Sequence, residues 1–281
     1  MTLLPRLSIL LSLATCTHAL RFLALHGGTD NPTTFQGQMG DVVNALGSSH
    51  TWVYAQGAYP NPVAGTAGEY LWIRDAPGGK NAGTTDPNWA QASFTSLDNY
   101  VATQGPFDAI VGYSQGAAMT LLYLSQSASS FRFALTFCGY LPTVHSGLMG
   151  LVDAAAPMSI PIAFYYGTSD SIITNDMTLA AAAKFSDTTM ICDGGGHAPP
   201  TDGEAVTAVV DFINNPAAAT SMASCAAGGG AGGKLGDATL WIILAVVAGL
   251  AIVGGIAIYC FCCKNGGGGS AGGGVEMHGV K

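Results

Sequence analysis

Ser114, Asp170 and His197 are the side chains whose types and settings could together do covalent chemistry. Ser114 sits in "AIVGYSQGAAM", an apolar run, then Gly-x-Ser-x-Gly, then small helix-forming residues. A serine hydroxyl is a poor nucleophile at neutral pH and needs a base. The base needs an acid to hold its tautomer and stabilise the imidazolium. His197 in "DGGGHAPP" and Asp170 in "YYGTSDSII" offer those two roles. The chemistry would be acyl transfer through an acyl-enzyme. The pentapeptide alone is weak: with 39 Gly and 19 Ser in 281 residues, chance gives 19 × (39/281)², about 0.4 matches. Its setting has to decide.

Rival residues exist for both partners. His26, His50 and His145 compete as the base. His26 is tied to the loop after the first strand and is expected to pack beneath the oxyanion site, and no strand end directly precedes His145. Asp176, Asp187 and Asp193 compete as the acid, and Asp170 itself could simply cap the next helix. Acyl transfer also needs N–H donors where negative charge develops. The N–H of Gln115, just after the serine, is one. Gly28 in "HGGT" is the expected second, with Gly27 letting the backbone approach.

These residues need elements to carry them. "RFLALHGG", "TWVYAQGA", "FDAIVGYS", "FALTFCGY", "PIAFYYGTSD" and "TTMICDGGGH" read as six strands. "TTFQGQMGDVVNAL", "PNWAQASFTSLDNYVATQ", "QGAAMTLLYLSQ", "NDMTLAAAAKF" and "DGEAVTAVVDFINN" read as helices. The alternation predicts an α/β fold: a mostly parallel six-stranded sheet with helices on both faces. Ligands bind at the carboxyl ends of such strands. Ser114, Asp170 and His197 all follow strand ends, and their chain order is that of α/β-hydrolases. The stretch between Asn61 and Asn88 leaves two readings open. Tyr70 and Trp72 either wall the pocket or belong to a solvated loop whose aromatics cover the sheet.

"LALHGGTDNPTTF", "QGPFDAIVGYSQGAAM", "FRFALTFCGYLP", "PIAFYYGTSDSII" and "GGGHAPP" resemble the FSH-type serine hydrolases of the α/β-hydrolase superfamily. The resemblance covers about Arg21 to Phe212. It implies a Ser114–Asp170–His197 triad and cleavage of esters or thioesters of small to mid-length acyl groups. The same constellation serves a carboxylesterase, a thioesterase or an acyltransferase. A catalytically silent hydrolase fold serving as a binding protein is the alternative outside enzymes. No cofactor and no metal are expected; no C-x-x-C pair with zinc spacing occurs.

Composition and the chain's ends set the surroundings. The formal net charge is −8, and no Lys/Arg cluster is present to neutralise phosphates, so nucleic acid is not an expected partner. The seven cysteines form no evident disulfide framework. Residues 1–19 read as a secretory leader, with Arg6, an apolar stretch and small residues before the cut. The hydrolase domain is expected over 20–215 and a flexible Ala/Gly/Ser linker over 216–237. No charge occurs over 238–263, long enough for a transmembrane helix. A polar tail, 264–281, follows. These segments predict a single-pass type I protein with a luminal or extracellular body, anchored in the lipid bilayer. The alternative is a tail-anchored form with a cytosolic body. In the type I form Cys260, Cys262 and Cys263 would lie at the cytosolic interface, as palmitoylation sites or as plain apolar residues of the span.

Overall fold

A computed structural model describes residues 19–79 and 81–226. The chain divides into two units, 1–234 and 235–281, and no residue of the second is among those described. The expected leader up to His18, the span 238–263 and the polar tail therefore lie outside the described residues. Among the described residues, no helix is long and apolar enough to cross a membrane.

The chain opens with β1 (Arg21–Leu25) and β2 (Thr51–Ala55), followed by a short antiparallel hairpin of β3 (Tyr59–Pro60) and β4 (Tyr70–Leu71). Then come β5 (Ala109–Tyr113), β6 (Phe133–Phe137), β7 (Ile162–Gly167) and β8 (Thr188–Asp193). The six long strands make one sheet in the order β2-β1-β5-β6-β7-β8, every neighbouring pair parallel. Both faces are covered, so β5, β6 and β7 are buried at every position. Such strands read as unbroken apolar runs.

The helices are α1 (Pro32–Gln38), α2 (Gly40–Leu46), α3 (Gln91–Gln104), α4 (Gln115–Ser127), α5 (Ser146–Ala155), α6 (Asn175–Ala182), α7 (Gly203–Asn214) and α8 (Ala223–Ala226). The two-residue period of the strands sorts them into two layers. Phe22, Ala24, Val111 and Leu135 pack with Phe35, Val42, Val209 and Phe212 of α1, α2 and α7. Leu23, Leu25, Ile110 and Phe164 pack with Phe94, Leu97, Leu122 and Val152 of α3, α4 and α5. In α4 every residue from Gly116 to Leu124 is buried.

The chain leaves β1 for β2 on one side and returns to β5 on the other. The order reverses between β1 and β5, and ligands of open α/β sheets bind at such a reversal, at the carboxyl ends of the strands. Ser114 follows β5 and Gly28 follows β1, so both flank that point.

Five features depart from the sequence reading. The helix expected over 33–46 is two helices, broken at Met39, whose side chain is buried. Helix α5 and the β3–β4 hairpin were not predicted; the hairpin lacks a side-chain pattern because backbone contacts hold it. Thr29 N–H donates to Tyr70 O at 2.9 Å, and Tyr70 N–H donates to Asp30 O at 2.8 Å. The body does not end at Asn215. Residues 216–226, read as the start of the linker, lie along β8: Met222 N–H donates to Met190 O at 2.9 Å, and Met190 N–H to Ser221 Oγ at 2.9 Å. Cys225 is disulfide-bonded to Cys192 of β8, a pairing the scattered cysteines did not suggest; Cys138 is a buried free thiol.

Candidate active site

The turn from β5 into α4 carries Ser114 at φ 50°, ψ −116°, a conformation that non-glycine residues seldom adopt. The two flanking glycines make it sterically possible. A Cβ on Gly112 would fall 2.5 Å from Gly116 O and Thr120 Oγ1. A Cβ on Gly116 would run into the carbonyls of Leu25 and His26 at the end of β1. The spacing Gly-x-Ser-x-Gly thus reflects two close approaches, one to the first turn of α4 and one to β1.

His197 arrives on the loop after β8. Gly167, the last residue of β7, has no room for a Cβ because the carbonyls of Gly195 and Gly196 pass directly over it. Backbone bonds knit the two loops: Thr168 N–H to Asp193 O at 2.8 Å and Ser169 N–H to Gly195 O at 2.9 Å. This places the loop after β7, which bears Asp170, against the loop that bears His197.

The three side chains meet. His197 Nε2 lies 2.9 Å from Ser114 Oγ, and His197 Nδ1 lies 2.7 Å from Asp170 Oδ2. The Asp170 side chain is fully buried and the His197 ring 15% exposed. Asp170 Oδ1 accepts from Ile172 N–H at 2.8 Å and Ile173 N–H at 2.9 Å. Burial alone would raise the Asp170 carboxyl, but the His197 bond and these two N–H groups outweigh it and hold it below the usual carboxylate range. An ionised Asp170 fixes the proton on Nδ1 and leaves Nε2 free to accept from the serine. The helix-cap reading of Asp170 does not hold, since α6 begins only after Thr174.

The other candidates are placed elsewhere. His50 Nδ1 accepts from Leu20 N–H at 3.1 Å, and His145 is buried at the start of α5. Asp193 accepts from Tyr165 Oη at 2.8 Å and from Gly195 N–H at 2.7 Å, shaping the loop that carries the histidine. His26 lies under the loop after β1. Gly57 N–H donates to its Nε2 at 2.9 Å, so Nδ1 carries the proton and donates to Gly27 O at 2.6 Å. Burial pushes the His26 pKa down, keeping the ring neutral.

Gly28 and Gln115 are neighbours: a Cβ on Gly28 would lie 3.2 Å from Gln115 Cβ, and one on Gly27 would lie 3.7 Å from Ser114 Cβ. Neither the Gly28 nor the Gln115 N–H has a protein acceptor among the described residues. A trans peptide points its C=O and N–H in opposite directions. The bond from His26 to Gly27 O therefore turns the Gly28 N–H the other way. Trp72 is fully buried and its indole donates to His26 O at 2.8 Å, so it braces the site from behind; Tyr70 is half-buried in the hairpin.

Sequence reasoning missed two contributors. Tyr113 Oη donates to His197 O at 2.8 Å, and the side chain of Gln115 bonds the backbone of Trp72 and Ile73. Cys138, at φ 51°, stands beside Asp170 and His197, with ligand-type atoms of the three within 4.8 Å of one another. Burial, then the Asp170 charge, push its thiol up. Asp170 and His197 of this trio are already bonded to one another, and His197 to Ser114.

Comparison with known proteins bears on the family and the fold. A family model described as serine hydrolase (FSH1) matches residues 16–209. An esterase from Drosophila pseudoobscura pseudoobscura is 26% identical over 212 residues, covering 71% of this chain and 72% of its own. The esterase FPY3 from Fusarium mangiferae is 25% identical over 198 residues, covering 64% of this chain and 88% of its own. In fold, the chain is similar to the solved structure of acyl-protein thioesterase 2 from Zea mays: TM-score 0.51, 18% identity, 72% of this chain and 96% of that one.

Proposed function

The chain belongs to the FSH1 serine hydrolase family, and on that footing we propose that it cleaves carboxylic esters with Ser114, His197 and Asp170 as its catalytic triad. The observation that carries the reading is the continuous path from Ser114 Oγ through both ring nitrogens of His197 to a buried Asp170 carboxylate. His197 Nε2 removes the serine proton as Oγ attacks the ester carbonyl. The N–H groups of Gln115 and Gly28 hold the oxyanion that forms. His197, charged and steadied by Asp170, then protonates the leaving alcohol. A water attacks the acyl-enzyme by the same route in reverse, releasing the acid. The test is hydrolysis of a panel of esters, thioesters and amides by the wild type and Ser114→Ala. Ester turnover lost in the variant is expected. A panel led by thioesters would reassign the substrate class while keeping the triad.

The proposal extends to the setting. The uncharged run 238–263 is read as a membrane anchor and residues 1–19 as a leader, so that the hydrolase body faces the lumen or exterior. The Cys192–Cys225 disulfide supports this reading, because such bonds persist in oxidising compartments. Protease protection of the body in sealed microsomes is the expected result. Digestion of the body without detergent would favour a cytosolic one.

A further inference from the structure

The side chain of Gln115 takes no part in the scheme above, yet it is the hub of a polar network. Its Oε1 accepts from Trp72 N–H at 2.7 Å and Ile73 N–H at 3.3 Å, and its Nε2 donates to Ile73 O at 3.0 Å. Trp72 has its other polar atoms engaged as well. Ser93 Oγ donates to its carbonyl at 2.7 Å, and its indole N–H donates to the His26 carbonyl at 2.8 Å. The indole lies against the His26 imidazole, ring centroids 5.2 Å apart. His26 in turn holds Gly27 O at 2.6 Å. The path runs from the elbow to Trp72, to His26 and to the Gly27–Gly28 peptide. A Cβ on Gly28 would lie 3.3 Å from Gln115 Cδ, so the loop also rests on the amide itself.

Resting on the Ser114 reading, we propose that the Gln115 side chain is a positioning group for the oxyanion hole. Through Trp72 and His26 it fixes the spacing between the Gln115 and Gly28 N–H donors. The amide suits the task. Two successive N–H groups need one acceptor with two lone pairs, and the adjacent carbonyl needs a donor in the same plane. Glu offers the acceptor but no donor, and sets a negative charge beside the oxyanion. Met fills the volume and offers neither.

Removing an oxyanion donor costs about 10²–10³ in kcat, and displacing one costs part of that. Gln115→Met is therefore expected to lower kcat by about 10–100-fold, with KM changed by less than about 3-fold. Affinity for a trifluoromethyl ketone, whose adduct carries the oxyanion, should fall by the same factor as kcat/KM. Gln115→Glu should fall further, and its deficit relative to wild type should shrink as the pH is lowered through the carboxyl's titration. Trp72→Phe, which deletes only the indole bond to His26, should lower kcat by about 3–10-fold.

A role in folding alone predicts lower thermal stability, with kcat and ketone affinity of the folded enzyme unchanged; that result in Gln115→Met overturns the inference. If Gln115→Met does not fold, Trp72→Phe and Gln115→Glu decide by the same two readouts. Ser114→Ala separates the two layers. Ester turnover there close to the wild-type rate sinks the triad reading. A dead Ser114→Ala beside an unimpaired Gln115→Met sinks only this inference.

Discussion

Tyr113 Oη donates a 2.8 Å hydrogen bond to the backbone carbonyl of His197, with the two rings 5.3 Å apart. The residue before the nucleophile thus holds the loop that carries the base, independently of the serine–histidine bond. The ring is also packed under the loop after β1, where a Cβ on Gly27 would meet it at 3.0 Å. Tyr113→Phe keeps that packing and deletes one bond. It should cost about 1 kcal/mol of stability and about 2–10-fold in kcat, because His197 is held less firmly. Steady-state kinetics beside a thermal melt check this. Unchanged kcat would show that the β8–α7 loop needs no such tie.

Asp170→Asn keeps the size of the side chain and can still accept from Ile172 and Ile173. It removes the charge that fixes the His197 tautomer. A loss in kcat of about 10³–10⁴ is expected, with the fold retained. A loss under tenfold would point to a different acid.

The buried groups fix how stability depends on pH. His26 is pushed down by burial, so the unfolded chain binds its proton more readily. Its contribution is complete above the unfolded histidine value of about 6.5 and is lost as pH falls toward the lower folded value. Asp170 is also held low, so its contribution is complete above about 3.9 and is lost as pH falls through its folded value. Denaturant unfolding at stepped pH should show both windows. His26→Gln should flatten the upper one in part, since His50 and His145 are also pushed down by burial. Asp170→Asn should flatten only the lower. An unaltered profile in both variants would contradict this assignment.

The Cys192–Cys225 bond spans 33 residues and clamps the segment after α7 onto β8. Closing a loop of that length stabilises by about 3–4 kcal/mol in the chain-entropy account. Replacing both cysteines with serine, or adding reductant, should lower the melting temperature by several degrees and leave kcat at low temperature nearly unchanged. Free thiols at both Cys192 and Cys225, found by alkylating the unreduced protein in denaturant, would mean that the bond does not form.

The sheet was legible because its central strands β5, β6 and β7 are unbroken buried runs, and the three candidate side chains because each follows a strand end. Gly112, Gly116 and Gly167 signal close approaches that any correct placement of their strands requires. The bracing groups were not legible. Gln115 meets Trp72 across 43 residues, and Tyr113 meets His197 across 84, through backbone atoms that carry no residue-type signal. The β3–β4 hairpin is held by Thr29 and Asp30 rather than by alternation, and Cys225 finds its partner only after the chain turns back along β8. The two open readings of Trp72 resolve toward burial, because its indole N–H finds the His26 carbonyl.

The most direct test of the central claim is covalent. Wild type and Ser114→Ala are treated with a fluorophosphonate, and the adduct is located by peptide mass spectrometry. One adduct on Ser114, blocked by an ester substrate and absent from Ser114→Ala, is the predicted result. A wild type that resists the reagent, or an adduct on another residue, would contradict the account.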